Sequence, residues 1–290
     1  MASKNNYEIY KPFKVKESNY ASGGNAKVLL VEDEGGKEYA LKSLRINEPR
    51  DVKKLKRFIH EVEIVERYQN DIRGIVPIIH KSIPEELNGD FKYTDVKDLI
   101  VWYVMDLAMP IEKKLGNCDE IEKIIDCIIS LSETLAELHM NEIVHRDIKP
   151  SNLYFYQESW AFGDFGLVAY PEFSGLTEEG DRIGNYATIA PEMRYKDINE
   201  KDARPADVWS LAKTLWMLLT NNWNDCFEGV YNPNDERMSI SKYLINIPID
   251  PLESILAKAI CYEPQNRIDI NEFLILVRDY KVLLNEKKKD

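Results

Sequence analysis

The sequence predicts an α+β protein, β-rich over its first hundred residues and helical beyond them. Three observations lead there. Two stretches that read as strands, residues 27–31 and 38–44, flank Gly35-Gly36. Paired glycines mark a hairpin because they accept the positive φ of tight turns. From Asp51 to Tyr68 the apolar residues Val52, Leu55, Phe58, Ile59, Val62, Val65 and Tyr68 recur at three- and four-residue spacing, the period of a helix face. After Pro110 helical patterns take over.

The hairpin comes first, then the helix at 51–68. Short apolar runs at residues 75–79 and 99–105 complete a small sheet, the second stopped by Asp106. Residues 119–139 place Ile121, Ile124, Ile128, Leu131, Leu135 and Leu138 on one side of a helix. Residues 208–219 are almost wholly apolar, the pattern of a helix buried on all sides. Two late helices start at Asp250-Pro251-Leu252-Glu253 and Asp269-Ile270-Asn271-Glu272. Each reads as a capping box, in which the first carboxylate accepts from early backbone N–H groups and the glutamate reaches back. Pro251 fits the first helical position. The predicted division is a tail at 1–12, a β-rich lobe at 13–108, a helical lobe at 109–284 and a charged tail at 285–290. No internal repeat or low-complexity linker interrupts it.

With 290 residues and 44% hydrophobic content, the chain can bury one large core or two smaller ones. A net charge of −12 and a pI near 5.0 speak against a nucleic-acid partner, whose phosphates call for a basic surface. The four cysteines, Cys118, Cys127, Cys226 and Cys261, form no C-x-x-C pair, and the four histidines are scattered. A zinc site is therefore not indicated, and reduced thiols in a cytoplasmic protein are the expectation. No apolar run reaches the ~18 residues of a membrane span. The first residues lack the apolar stretch of a signal peptide.

The densest chemistry lies at residues 145–152, His-Arg-Asp-Ile-Lys-Pro-Ser-Asn, with Asp164-Phe165-Gly166 beginning twelve residues after Asn152. Asp147 can accept a proton from a hydroxyl nucleophile, and Lys149 can steady a transferring phosphoryl group. Asn152 and Asp164 offer oxygen ligands of the kind Mg²⁺ takes. Four further stretches accompany them: Tyr39-Ala40-Leu41-Lys42, Ala190-Pro191-Glu192, Asp207-Val208-Trp209-Ser210-Leu211, and Arg267 after Pro264. On these motifs the chain, from about residue 13 to residue 284, resembles the catalytic domain of eukaryotic-like Ser/Thr protein kinases. The Lys149 spacing is similar to the Ser/Thr branch. Residues 23–26 and 210–215 are similar to bacterial members.

The resemblance implies a bilobal fold with ATP between the lobes, Mg²⁺ as the metal with Mn²⁺ as the alternative ion, and a protein substrate. Gly23, Gly24 and Asn25 would form the phosphate loop. Registered on Val28, the family's G-x-G-x-x-G-x-V stands here as A-x-G-x-x-A-x-V, and an ordinary hairpin turn is the competing reading. Backbone N–H groups can still cradle phosphates there. Lys42 is expected to reach the phosphates and to pair with Glu61, which shares the inward helix face with Phe58 and Val65; Glu63 is the rival. Met105 stands at the gatekeeper position. Asp106 and Ala108 would offer a main-chain carbonyl and N–H to adenine, and Val28 and Ala40 would form its ceiling. Tyr154 stands where a small aliphatic floor residue is usual, and either stacks on adenine or turns aside. Glu112 either reaches the ribose or lies exposed at a helix start.

Arg146 either pairs with a phosphorylated activation-segment residue or makes a structural salt bridge. Glu192 and Arg267 are expected to pair, and Asp207 to open the central helix. The activation segment, residues 164–192, holds Ser174, Thr177 and Thr188 among Glu172, Glu178, Glu179 and Asp181. Either phosphorylation of Thr177 or Ser174 orders it through Arg146, or the carboxylates already do so. Asn185 and Thr188 stand where the family has Thr and Tyr, which leaves substrate preference open. Ser151 stands where basic-directed relatives often carry Glu, so a strong basic-substrate preference is not indicated. Two other functions compete. A small-molecule phosphotransferase of related fold is opposed by Lys149 and the intact Ala190-Pro191-Glu192. A catalytically silent scaffold is opposed by the presence of Lys42, Asp147, Asn152 and Asp164. Oligomeric state is not readable from the sequence.

Overall fold

The computed structural model describes residues 8–22, 26–87, 90–116, 120–168, 187–194, 202–244 and 246–287. The chain divides into two compact units, Met1–Asp71 with Ile75–Ala108, and Ile72–Gly74 with Met109–Asp290.

The first unit is built on five antiparallel strands: β1 (Lys14–Ser22), β2 (Lys27–Glu32), β3 (Glu38–Arg45), β4 (Ile78–Ser82) and β5 (Ile100–Asp106), in the order β1-β2-β3-β5-β4. The β2–β3 turn forms at the paired glycines. Gly36 takes φ +81°, and the Asp33 carboxylate accepts from the Gly35 and Lys37 N–H groups. Strand alternation sorts the side chains of β3 by face. Tyr39 and Leu41 enter a core with Leu29, Val31, Trp102 and Val104, while Ala40 and Lys42 face the other way. Tyr10 and Phe13, ahead of β1, close that core edge-on to the Trp102 ring at 6.1 and 6.2 Å.

Helix α1 (Asp51–Tyr68) has the predicted bounds. Asp51 accepts from the Asn47 and Glu48 N–H groups, and Lys54 donates to it at 2.8 Å. These contacts, Lys54 first, hold its carboxyl below the usual range. Leu55, Phe58, Ile59, Val62 and Val65 are buried, with Val52 and Tyr68 at the margin.

The strand expected at residues 75–79 lies three residues later. Ile75 and Val76 are buried, but Ile75 makes only an isolated bridge, Val76 lies outside any strand, and Pro77 has no N–H to give a ladder. The Gln69 side chain then bonds both the N–H and the carbonyl of Ile78, where β4 begins. A short helix, α2 (Tyr93–Val96), precedes β5.

In the second unit β6 (Met109–Pro110), β7 (Leu153–Tyr156) and β8 (Ser159–Phe162) form a small antiparallel sheet. The helices are α3 (Ile111–Leu115), α4 (Ile121–Met140), α5 (Pro191–Arg194), α6 (Arg204–Leu219), α7 (Asp250–Ala259) and α8 (Ile270–Lys287). Every residue of α6 from Ala206 to Leu219 is buried, as its apolar sequence predicts. It packs on α4, which also packs on α8. Among the described residues no helix is long and apolar enough to cross a membrane.

The two capping boxes fare differently. Asp269 accepts from the Asn271 and Glu272 N–H groups at 2.8 and 2.9 Å, while Glu272 turns toward Lys258. At α7 the box does not form. The helix starts one residue early, with the Glu253 N–H on the Ile249 carbonyl, which makes Pro251 the second helical residue. The Glu253 carboxylate accepts instead from Ser239 at 2.8 Å.

Candidate active site

In the first unit the chemistry gathers on the face of β3 turned away from the Tyr39 and Leu41 core. Lys42 pairs across to Val28 on β2 and to Tyr103 on β5, and Ala40 to Leu30 and Met105. Period-two alternation therefore puts Val28, Ala40, Lys42 and Met105 on one face. The Lys42 ammonium donates to both oxygens of Glu61 at 2.9 and 2.8 Å. Glu61 is buried and Glu63 exposed, which decides between the two candidate partners. The Asp106 carboxylate takes Lys37 at 2.8 Å, and Ala108, half-buried, ends the unit. Gly23, Gly24 and Asn25 lie outside the described residues.

In the second unit the loop between α4 and β7 folds around Asp147. Pro150 opens a single 3-10 turn, Pro150–Asn152, which carries Asn152 back toward the aspartate. The Asn152 amide nitrogen donates to the Asp147 carbonyl and to Asp147 Oδ2, both at 2.9 Å. Lys149 Nζ donates to the same Oδ2 at 2.8 Å. Asp147 Oδ1 is buried and has no hydrogen-bond partner among the described residues.

The loop's backbone is held from below by Asp207 of α6, a fully buried carboxylate. It accepts from the His145 N–H at 2.7 Å and the Arg146 N–H at 2.8 Å, and His139 Nε2 lies 3.1 Å from it. Arg146 is in the left-handed region at φ +64°, and so is Asp164 at φ +58°. Such backbones persist only where neighbours enforce them. The His145 ring packs on Phe162 and Phe165 at 5.3 and 5.0 Å. Burial pushes its pKa down against the opposing pull of Asp207, Asp147 and Asp164, so the ring is neutral at pH 7.

Arg146 forms no ion pair with any described carboxylate, and its Nε is buried without a partner among the described residues. Burial lowers its pKa, with Asp207 opposing. The structural salt bridge considered for it is therefore absent among the described residues. Ser174, Thr177, Asn185 and the segment's carboxylates lie outside them. Thr188 is buried, and its carbonyl accepts from Ser210 at 2.9 Å. Arg267 meets Glu192, and also donates to the carbonyls of Pro205 and Cys261.

Among the described residues no cluster of three or more His, Cys, Asp or Glu side chains makes a ready metal site. Mg²⁺ takes one or two protein oxygens plus phosphates rather than a full protein cage. Asn152 fits: with its nitrogen committed to Asp147, its carbonyl oxygen is the acceptor left to a hard cation. Tyr154 turns its ring over Gly163 and donates to the Ser151 carbonyl at 3.3 Å. Glu112 is exposed near the start of α3. Two contributors were missed in the sequence. His139 was one of four scattered histidines, and Gly163 carries no signal until the Tyr154 ring is seen beside it.

A family model, the protein kinase domain, matches residues 16–275. A putative serine/threonine-protein kinase of Acanthamoeba polyphaga mimivirus is 27% identical over 62% of this chain and 65% of its own length. A probable serine/threonine-protein kinase of Bifidobacterium longum is 26% identical over 70% of this chain and 26% of its own. The serine/threonine-protein kinase ssp1 of Schizosaccharomyces pombe is 32% identical over 48% of this chain and 23% of its own. The chain thus spans from 23% to 65% of the lengths of these relatives. With residues 16–275 of its 290 matched, the chain belongs to the protein kinase domain family.

Proposed function

We propose that the chain is an ATP-dependent Ser/Thr protein kinase that moves the γ-phosphoryl group of ATP to a protein hydroxyl and phosphorylates itself. The observation that carries the reading is Asp147. One carboxylate oxygen is held by Lys149 and Asn152, while the other accepts from none of the described residues.

In this reading the Asp147 carboxylate receives the hydroxyl proton as the oxygen attacks phosphorus, a role worth ~10²–10⁴ in rate. Lys149 turns from Asp147 to the transferring group, and Lys42, oriented by Glu61, holds the nucleotide phosphates. Asn152 and Asp164 would hold Mg²⁺, which when bound supplies charge neutralisation at the phosphate oxygens. Val28 and Ala40 would cover adenine, with Asp106 and Ala108 offering main-chain bonds and Gly23, Gly24 and Asn25 the phosphate loop. Arg146, half-buried and with no described carboxylate paired to its guanidinium, favours a phosphorylated Thr177 or Ser174 as its partner. A cytoplasmic setting is supported by Cys127, Cys226 and Cys261, all free.

The test is incubation of purified protein with Mg²⁺ and ATP, followed by intact-mass and peptide mass spectrometry. Added phosphate that is lost in Asp147→Asn is the expected result. No added mass on this chain or on generic protein substrates, despite ATP binding, would turn the reading toward a silent scaffold.

A further inference from the structure

Gly163 links β8 to Asp164, and its φ is not in the left-handed region, so its own backbone does not call for glycine. Tyr154 does. A Cβ placed at residue 163 would lie 2.6 Å from Cε2 of the Tyr154 ring and 3.1 Å from Cδ2, the first closer than non-bonded carbons approach. The ring thus fills the space that a side chain at 163 would take. It cannot withdraw freely. Its strand is paired on both sides, to Pro110 and to Ala161, and its hydroxyl donates to the Ser151 carbonyl at 3.3 Å.

The contact sits between two site residues. The Gly163 N–H donates to the Asn152 carbonyl at 2.9 Å, and the next residue is Asp164, at φ +58°. A displacement of the Gly163 main chain therefore passes to Asn152 through one hydrogen bond and to Asp164 through one peptide. We infer that Tyr154 is a positioning residue: locked against Gly163, it sets the spacing between the main chains that carry Asn152 and Asp164, and so the site's affinity for Mg²⁺. The inference rests on the kinase reading above, in which those two residues hold the metal. It assigns Tyr154 a steric duty toward the metal side, separate from either role weighed for it at adenine.

The experiment uses four proteins: the wild type, Gly163→Ala, Tyr154→Leu and the double variant. ATP binding is followed by calorimetry at rising Mg²⁺ and in its absence. Gly163→Ala is expected to raise the Mg²⁺ concentration for half-maximal tightening by about ten-fold, the scale of losses when a ligand's support is disturbed. Binding of metal-free ATP should change by less than about two-fold, since uniform damage to the fold would weaken both. In the Tyr154→Leu background the same alanine should move the Mg²⁺ requirement by less than about two-fold, because contacting residues couple. An equal effect in both backgrounds, or none in the wild type, overturns the inference. If Gly163→Ala fails to fold, recovery of folding and of Mg²⁺ dependence in the double variant supports the lock, and failure of both overturns it. A wild type that binds ATP with no response to Mg²⁺ removes the kinase reading itself, an outcome distinct from additivity among the variants.

Discussion

The guanidinium of Arg267 meets the carboxylate of Glu192 at 2.7 Å across 75 residues of sequence. The arginine side chain is fully buried and Glu192 nearly so. Removing one member of such a pair strands the other charge away from water. Arg267→Ala is expected to destabilise the protein by roughly 3–5 kcal/mol. Arg267→Lys should recover only part of this, because an ammonium cannot reproduce a fork that also serves the Pro205 and Cys261 carbonyls. Denaturant unfolding of the two variants measures both numbers.

The Lys42–Glu61 pair joins the sheet of the first unit to α1. Lys42→Ala is expected to abolish phosphoryl transfer with the fold retained. Glu61→Ala leaves the ammonium in place but unguided, and misplacement of a catalytic group by about 1 Å can cost ~10²-fold. Steady-state kinetics should therefore show a fall in kcat on that scale. Full activity in either variant would remove Lys42 from the site.

Asp207 satisfies two main-chain N–H groups of the loop that carries Asp147 and faces His139. Asp207→Ala leaves those donors buried and unpaired, at roughly 1–3 kcal/mol each. It also frees Arg146 from the bond that holds φ at +64°. The variant should lose stability in thermal unfolding and lose kcat more than ATP affinity. Equal loss of both would assign Asp207 to folding alone.

Lys213 gives the clearest pH signature. It lies inside α6, with its ammonium donating to the Phe227 and Gly229 carbonyls at 2.7 and 2.9 Å over the Phe227 ring. Cys226 and Glu228 favour its charge and Arg194 opposes it, but burial dominates and lowers its pKa from 10.5 to about 8. Between these values the unfolded chain binds more protons than the folded one, so stability rises as pH goes from 8 to 10.5 and falls on return. The difference in unfolding free energy between wild type and Lys213→Met isolates this contribution. It should grow in favour of the wild type across that window, and a flat difference would contradict it.

Where local physics decides, the sequence was readable. The period of α1 gave its bounds and, through the angle between Glu61 and Glu63, the partner of Lys42. The apolar run of α6 gave a helix buried all round. What could not be read depends on neighbours that arrive through tertiary structure. Gln69 and Pro77 move the start of β4 past the apolar run. Ser239 takes the glutamate that would have closed the box at Asp250. His139 gains meaning from Asp207, and Gly163 from Tyr154. Each is a competition or a fit between residues far apart in sequence, which period and propensity do not encode.

Tyr10 and Phe13 lie against the same sheet face as Trp102 and Tyr39, before the first strand begins. That placement limits how short a functional version of this protein can be made. Trimming the chain to start at β1 would strip two aromatic rings from the core and turn a wall of Leu, Val and Trp side chains toward water. Exposed apolar surface of that kind recruits whatever apolar surface is nearby. The shortened protein would be recovered as aggregate, though every residue assigned to the site is still present.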